Sequence, residues 1–234
     1  MWQTARLTDS LRKGLWGELV KPEELFTWKQ SGLEALFDNC ESPWEPLLRL
    51  RSFANQIEGN GLKQSFPSSV TLVRPETIYF GEGCIVEPGA YIAGPCWLGA
   101  GTTIRHGAYL RGYVVTAPHC LIGHATEVKE SLLLEGAKAA HFAYLGNAIL
   151  GQGVNLGAGV KCANVRLRGG QVVVTLKDGR RVPSGLTKLG AMIGDRAQIG
   201  CNAVISPGSI IGRHSLWYPC IHRSGFFPDH AVIR

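Results

Sequence analysis

Charge is scarce in this chain, and several other absences narrow its class. Asp, Glu, Lys and Arg make up 18% of the 234 residues, against 45% hydrophobic. That balance belongs to a globular protein that is poor in charge. The net charge is +6, yet Lys and Arg form no block. Dispersed positive charge argues against nucleic acid as partner and for a pocket that takes phosphorylated small molecules. No CxxC occurs among the seven cysteines, and their number is odd. A disulfide framework and a thiolate zinc site are therefore not expected, and packing is the simpler role for most of them. No apolar run reaches the length of a membrane span. The opening MWQTARLTDSLRKGLW lacks the apolar stretch of a secretion signal, so the expected compartment is a reducing cytoplasm.

What the chain has in quantity is glycine, 30 residues, with 12 prolines. They punctuate a repeat. From Ile78 the sequence divides by six: IYFGEG, CIVEPG, AYIAGP, CWLGAG, TTIRHG, AYLRGY, VVTAPH, CLIGHA, TEVKES, LLLEGA, KAAHFA. The third place reads Phe80, Val86, Ile92, Leu98, Ile104, Leu110, Thr116, Ile122, Val128, Leu134 and Ala140. The residue two earlier is mostly small, as at Cys84, Ala90, Cys96, Thr102, Ala108, Cys120 and Thr126. A second run has Ile193, Ile199, Ile205, Ile211 and Trp217 inward, with Ala191, Ala197, Ala203, Ser209 and Ser215 as partners. A period of six excludes an amphipathic helix and fits very short strands joined by tight turns. Alternation along a strand puts the aliphatic residue and its small partner on one inner face. This is the pattern of a parallel β-helix, an all-β fold. Its similarity to hexapeptide-repeat proteins implies a left hand and three hexads per coil, so that residues 18 apart stack.

Residues 1–66 carry apolar residues at three- and four-residue spacings, with Ser42 before Pro43 as a helix-start signal. They read as a helical cap or assembly arm, joined through GNGLKQSFPSS to a β-helix domain over 67–234. The repeat breaks between about 163 and 190, with an expected hairpin insertion over about 165–187. There VRLRGGQVVVTLKDGRRVPSG alternates with period two around Gly-Gly and Asp-Gly, which predicts a projecting β-hairpin.

Stacking brings charges together. Arg111 and Lys129 each follow an inward residue, one coil apart, so both face outward on neighbouring rungs. Two stacked cations call for a shared anion, and a phosphate is the natural one. His141 follows Ala140. Leu145, Leu150 and Leu156 are then spaced five and six, so one residue is dropped just after the histidine. Tyr144, Asn155 and Asn164 add hydrogen-bonding groups nearby. A base, two cations and neutral donors beside a distorted coil make a candidate active site.

At these residues the chain resembles a known family. EVKES (127–131), KAAHFAYLGN (138–147), GVNLGAG (153–159), CAN (162–164) and IGDRAQIG (193–200) are similar to the acetyltransferase domain of bacterial UDP-N-acetylglucosamine pyrophosphorylase/glucosamine-1-phosphate N-acetyltransferase. They are similar also to the C-terminal half of archaeal sugar-1-phosphate nucleotidylyltransferases. The resemblance covers about 78 to 220. It implies a homotrimer with sites between subunits, and acetyl transfer from acetyl-CoA to the 2-amine of a hexosamine 1-phosphate without a metal. It implies His141 as general base and Arg111 and Lys129 on the sugar phosphate. It puts Tyr144, Asn155 and Asn164 around the sugar and the amine, and Ala158, Cys201 and Pro219 beside CoA. Glu127, in the same motif, would help orient the site.

The sequence also departs from that family. Residues 1–66 hold no Gly-rich nucleotide motif, so uridylyl transfer is not expected. The hairpin segment replaces the CoA loop, leaving Lys188 as candidate for the CoA lysine. Two rival readings stand beside this one. His119 and His124 have the HxxxxH spacing of a γ-type carbonic anhydrase, which would need a third histidine; His106 does not stack with His119. A β-helix that binds a nucleotide sugar without catalysis is the other.

Overall fold

The computed structural model describes residues 19–29 and 31–234. Three parallel sheets of eight strands each form a left-handed β-helix. Such a crossover departs from the right-handed rule for parallel strands. Face I runs from Thr71–Val73 through Tyr91–Ala93, Tyr109–Arg111, Glu127–Lys129, Tyr144–Gly146, Lys161–Cys162 and Val204–Ile205 to His222–Arg223. Face II runs from Ile78–Phe80 to Phe226–Phe227, and face III from Ile85–Val86 to Val232–Ile233. The chain visits I, II and III in turn.

The hexads explain the interior. Ile92, Leu98, Ile104, Leu110, Ile122 and Val128 are all essentially inaccessible, with Ala90, Cys96 and Ala108 beside them. Where the small partner carries a hydroxyl or thiol, that group satisfies a buried corner carbonyl. Thr126 Oγ1 donates to Ala139 O at 3.2 Å, and Cys120 Sγ to Leu134 O at 3.1 Å. Buried polar groups need such partners. Corner residues repeatedly take the left-handed conformation, and not only at glycine; His119, Glu130 and Phe142 do so with φ of 60°, 46° and 52°.

The register slips earlier than the period of six suggests. Leu133, not Leu134, stands opposite Thr116 and faces inward, and Ala139, not Ala140, stands opposite Ile122. The first residue is thus dropped at the Lys129–Glu130 corner, before His141, and a second between Leu145 and Leu150. His141 therefore lies two residues beyond the inward one.

Face II is apolar on its outside as well. Val115, Leu132, Ile149, Met192 and Ile210 point out and are fully buried in a second core. The N-terminal segment covers them with Leu25, Leu36, Phe37 and Leu50, from helices Pro22–Leu25, Glu34–Phe37 and Glu45–Asn55, and with Phe26 just after the first helix. The hairpin covers the rest: Val173–Thr175 pairs antiparallel with Arg181–Pro183, and Val172, Val174 and Leu176 enter the same core. Polar latches hold the segment down. Thr27 Oγ1 donates to Asp195 Oδ2 at 2.7 Å, and Arg213 Nη2 donates to Glu23 O and Phe26 O at 3.0 Å. Ser42 does not cap the third helix. Its buried hydroxyl has no hydrogen bond among the described residues, and the Glu45 carboxylate accepts from Glu41 N instead.

Candidate active site

His141 ends the strand Lys138–His141, opposite His124, at the edge where face III turns into face I. Backbone hydrogen bonds stack that corner coil on coil. Ala125 N bonds His106 O, Phe142 N bonds His124 O, and Gly159 N bonds His141 O. Asn202 N then bonds Ala158 O, and Cys220 N bonds Cys201 O. The acceptors make a column, His106, His124, His141, Ala158, Cys201, continued by Pro219, with a rise of ~4.8 Å per rung.

The column changes character at His141. Before it stand imidazoles. The His106 and His124 rings stack at 5.5 Å, and each holds its Nδ1 against a carbonyl one coil back, Pro88 O at 2.6 Å and His106 O at 2.9 Å. After it stand an alanine, a cysteine and a proline. His141 itself is exposed, and its ring makes no hydrogen bond or ion pair among the described residues. The ring therefore stands open to a ligand at the point where the column turns to small residues.

Face I carries the charges. Leu110 stands opposite Val128, so Arg111 and Lys129 are one rung apart. Each has its own carboxylate: Arg111 Nη1 lies 2.6 Å from Glu127 Oε1, and Lys129 Nζ 3.5 Å from Glu130 Oε1. Tyr144 lies directly opposite Glu127 in the next coil. Burial, and then the Glu127 charge, push its phenol above the ordinary range, so it stays a proton donor. Its hydroxyl donates to Asn164 Oδ1 at 3.4 Å; Asn164 Nδ2 donates to Asn147 Oδ1 at 2.7 Å; Asn147 Nδ2 donates to Glu130 Oε2 at 3.3 Å. Gly146 makes room for this chain. A Cβ there would meet Asn164 Nδ2 at 2.5 Å and Tyr144 Oη at 2.7 Å.

Arg111, Lys129, Tyr144 and Asn164 thus share face I, and His141, Ala158, Cys201 and Pro219 share its edge with face III. Two other candidates stand apart within one chain. Asn155 is on face III, opposite Lys138 and Gln198. Lys188 is exposed at the end of the hairpin segment, next to Leu189, whose N–H bonds Asn164 O at the opposite edge of face I. His119 sits at the corner between faces II and III, where its N–H bonds Ala100 O, one corner away from His124. Among the described residues, no group of three or more His, Cys, Asp or Glu could hold a metal ion. Sequence reasoning missed Glu130, which joins Lys129 to the amide chain. Its one sequence-level signal is an acidic residue directly after Lys129 in EVKES.

Fold and site together define a hexapeptide-repeat β-helix with a histidine corner beside a polar face. The comparisons with known proteins carry the resemblance further. Residues 92–182 match the family model of the GMPPB C-terminal domain. A bifunctional sugar-1-phosphate nucleotidylyltransferase/acetyltransferase of Sulfurisphaera tokodaii is 41% identical over 138 residues, covering 59% of this chain and 34% of that protein. The bifunctional protein GlmU of Methanococcus maripaludis is 30% identical over 210 residues, 90% of this chain and 48% of its own. GlmU of Legionella pneumophila is 33% identical over 164 residues, 68% and 32%. The chain spans from about a third to about half of the length of these curated relatives. A solved N-acyltransferase, AntD from Bacillus cereus, aligns at 12% identity with a TM-score of 0.24 over 71% of this chain and 73% of its own, too low to bear on function.

Proposed function

We propose that this chain is an acyl-CoA-dependent N-acyltransferase, and that it moves an acetyl group from acetyl-CoA to the amine of a hexosamine 1-phosphate. Glucosamine 1-phosphate is the first acceptor to test and galactosamine 1-phosphate the second. The observation that carries the reading is the column at the edge of face I. It turns from bulky imidazoles to Ala158, Cys201 and Pro219 at His141. A corner of small residues leaves room for an extended thin ligand such as a pantetheine arm, with its thioester end at the imidazole. Across face I, Arg111 and Lys129 offer the stacked cations that a sugar phosphate requires. The Sulfurisphaera tokodaii relative, a sugar-1-phosphate nucleotidylyltransferase/acetyltransferase by name, supports the same chemistry.

In this reading the acceptor's amine attacks in its neutral form, and His141 takes the proton that its nitrogen sheds as the amide forms. The C–N bond forms, the tetrahedral intermediate collapses, and the C–S bond breaks to release CoA thiolate. The proton held by His141 returns to that sulfur. A backbone N–H or the Tyr144 phenol supplies the donor for the oxyanion. The rigid coil holds acceptor and thioester near attack distance. The active assembly is a homotrimer in this reading, with Asn155 and Lys188 reaching the site from neighbouring subunits, and the enzyme works in the cytoplasm.

The test is release of free thiol from acetyl-CoA with each amino sugar phosphate. Thiol release that depends on acceptor supports the proposal. Binding of a nucleotide sugar with no thiol release from either acceptor would favour the non-catalytic β-helix.

A further inference from the structure

Glu130 is not among the residues that the resemblance points to, yet it occupies the junction of the molecule. It sits at a corner with φ of 46°, where its N–H bonds Gly112 O one coil back and Asn147 N bonds Lys129 O one coil on. Glycine and asparagine tolerate that conformation; a glutamate takes it less readily. Three partners hold its half-buried carboxylate. Oε1 accepts from Arg51 Nη2 at 3.0 Å and faces Lys129 Nζ at 3.5 Å, while Oε2 accepts from Asn147 Nδ2 at 3.3 Å. From Asn147 the chain runs on through Asn164 to Tyr144.

Arg51 belongs to the helix Glu45–Asn55, which packs on the outside of face II. Its guanidinium lies 4.5 Å above the Tyr113 ring, a cation–π contact that fixes its direction. Two cations, Arg51 and Lys129, therefore share one carboxylate oxygen. Without the negative charge they would repel, and Lys129 would lose its fixed place one rung from Arg111.

We infer that Glu130 is a positioning residue for the acceptor half of the site, and that Arg51 makes the docked N-terminal arm part of that site. Glu130 sets the Lys129 ammonium that meets the acceptor's anion, and through Asn147 and Asn164 it sets the Tyr144 hydroxyl. The inference rests on the proposed acyl transfer for its kinetic reading, and on the hydrogen-bond chain alone for its structural one.

Glu130→Gln keeps the shape and removes the charge. In an active enzyme it raises the acceptor KM by about tenfold, with the acetyl-CoA KM unchanged because the His141 column lies at the other edge of face I. Arg51→Ala raises acceptor KM by roughly threefold, Arg51→Lys restores most of it, and the double variant is little worse than Glu130→Gln alone. A merely structural glutamate would instead lower thermal stability and leave the ratio of the two KM values unmoved. The side-chain amide NMR signals of Asn147 and Asn164 give the second readout. Both shift in Glu130→Gln, and Asn147 shifts in Arg51→Ala. If wild type releases no thiol with any acceptor, the functional reading falls and these signals alone decide the inference. Unchanged Asn164 signals in Glu130→Gln, or an unchanged acceptor KM in a folded, active variant, overturn it.

Discussion

Arg111 and Glu127 face each other across one rung, Nη1 to Oε1 at 2.6 Å, on the face that would meet a sugar phosphate. The pair is largely open to solvent, so it contributes little to stability, about 0–1 kcal/mol. Its importance is directional: the carboxylate holds the guanidinium over the face. Arg111→Ala is expected to raise the acceptor KM by about tenfold or more while kcat changes only a few-fold. The melting temperature should move by no more than about 4 °C, since ~1 kcal/mol shifts a domain of this size by roughly 2–4 °C. Initial rates at varied acceptor, with a thermal melt, check both halves. A large fall in melting temperature would make the pair structural.

His141 is exposed and stands free of the core, so His141→Ala should fold like wild type. Loss of a general base costs about 10²–10⁴ in rate. Thiol release should fall by that factor at saturating substrates, with circular dichroism unchanged. Wild-type turnover in this variant would remove His141 from the chemistry.

Gly146 offers a way to disturb the proposed acceptor groups without substituting any of them. The new Cβ of Gly146→Ala would collide with the Asn164 amide and the Tyr144 hydroxyl. Overpacking of this kind costs typically 1–3 kcal/mol. The variant should melt lower and lose about tenfold in kcat/KM for the acceptor, with acetyl-CoA affinity retained. Equal loss for both substrates would show that the damage spreads beyond face I.

The cysteines divide by burial. Burial pushes the thiols of Cys96, Cys120 and Cys162 up to about 12. At pH 8 only on the order of one in ten thousand of each is thiolate, the reactive form. Cys201 and Cys220 are exposed. Iodoacetamide should therefore label Cys201 and Cys220 in the folded protein, and the three buried thiols only after unfolding, as read by peptide mass spectrometry. Saturating acetyl-CoA should slow labelling of Cys201, which stands in the column beyond His141. An unchanged rate would mean that the ligand does not lie along that corner.

The repeat itself was legible because burial imposes it. A coil of short strands has an inner face, and a polar residue there must find a partner; hence the aliphatic series from Phe80 to Val128 and again from Ile193 to Trp217. The slip at Lys129–Glu130 was not legible. Leu132, Leu133 and Leu134 are three leucines in a row, and only Leu133 enters the inner core, because the outside of face II is buried too and accepts the other two. Ala139 and Ala140 pose the same ambiguity one strand later. The stacking of Arg111 and Lys129 followed from an unbroken stretch of repeat, and the register bears it out. Of their two carboxylates, the sequence placed Glu127 in the motif as an orienting group, without its pairing to Arg111, and left Glu130 unmarked. Glu127 lies two residues before Lys129 but pairs across the rung. Glu130 gains its meaning from Arg51, a residue of a separate helix.

By itself the sequence determined the coil, its period and the outward place of the charged residues, since alternation and burial act locally and repeat. Only the tertiary structure decided which corner gathers His141, Ala158, Cys201 and Pro219, because the hairpin segment interrupts the count between Ala158 and Cys201 and register passes across it only through stacked backbone hydrogen bonds. It also decided that the N-terminal helices lie against face II and deliver Arg51 to Glu130. Contacts between distant segments follow from which apolar surfaces cover one another, and no spacing in the chain encodes that.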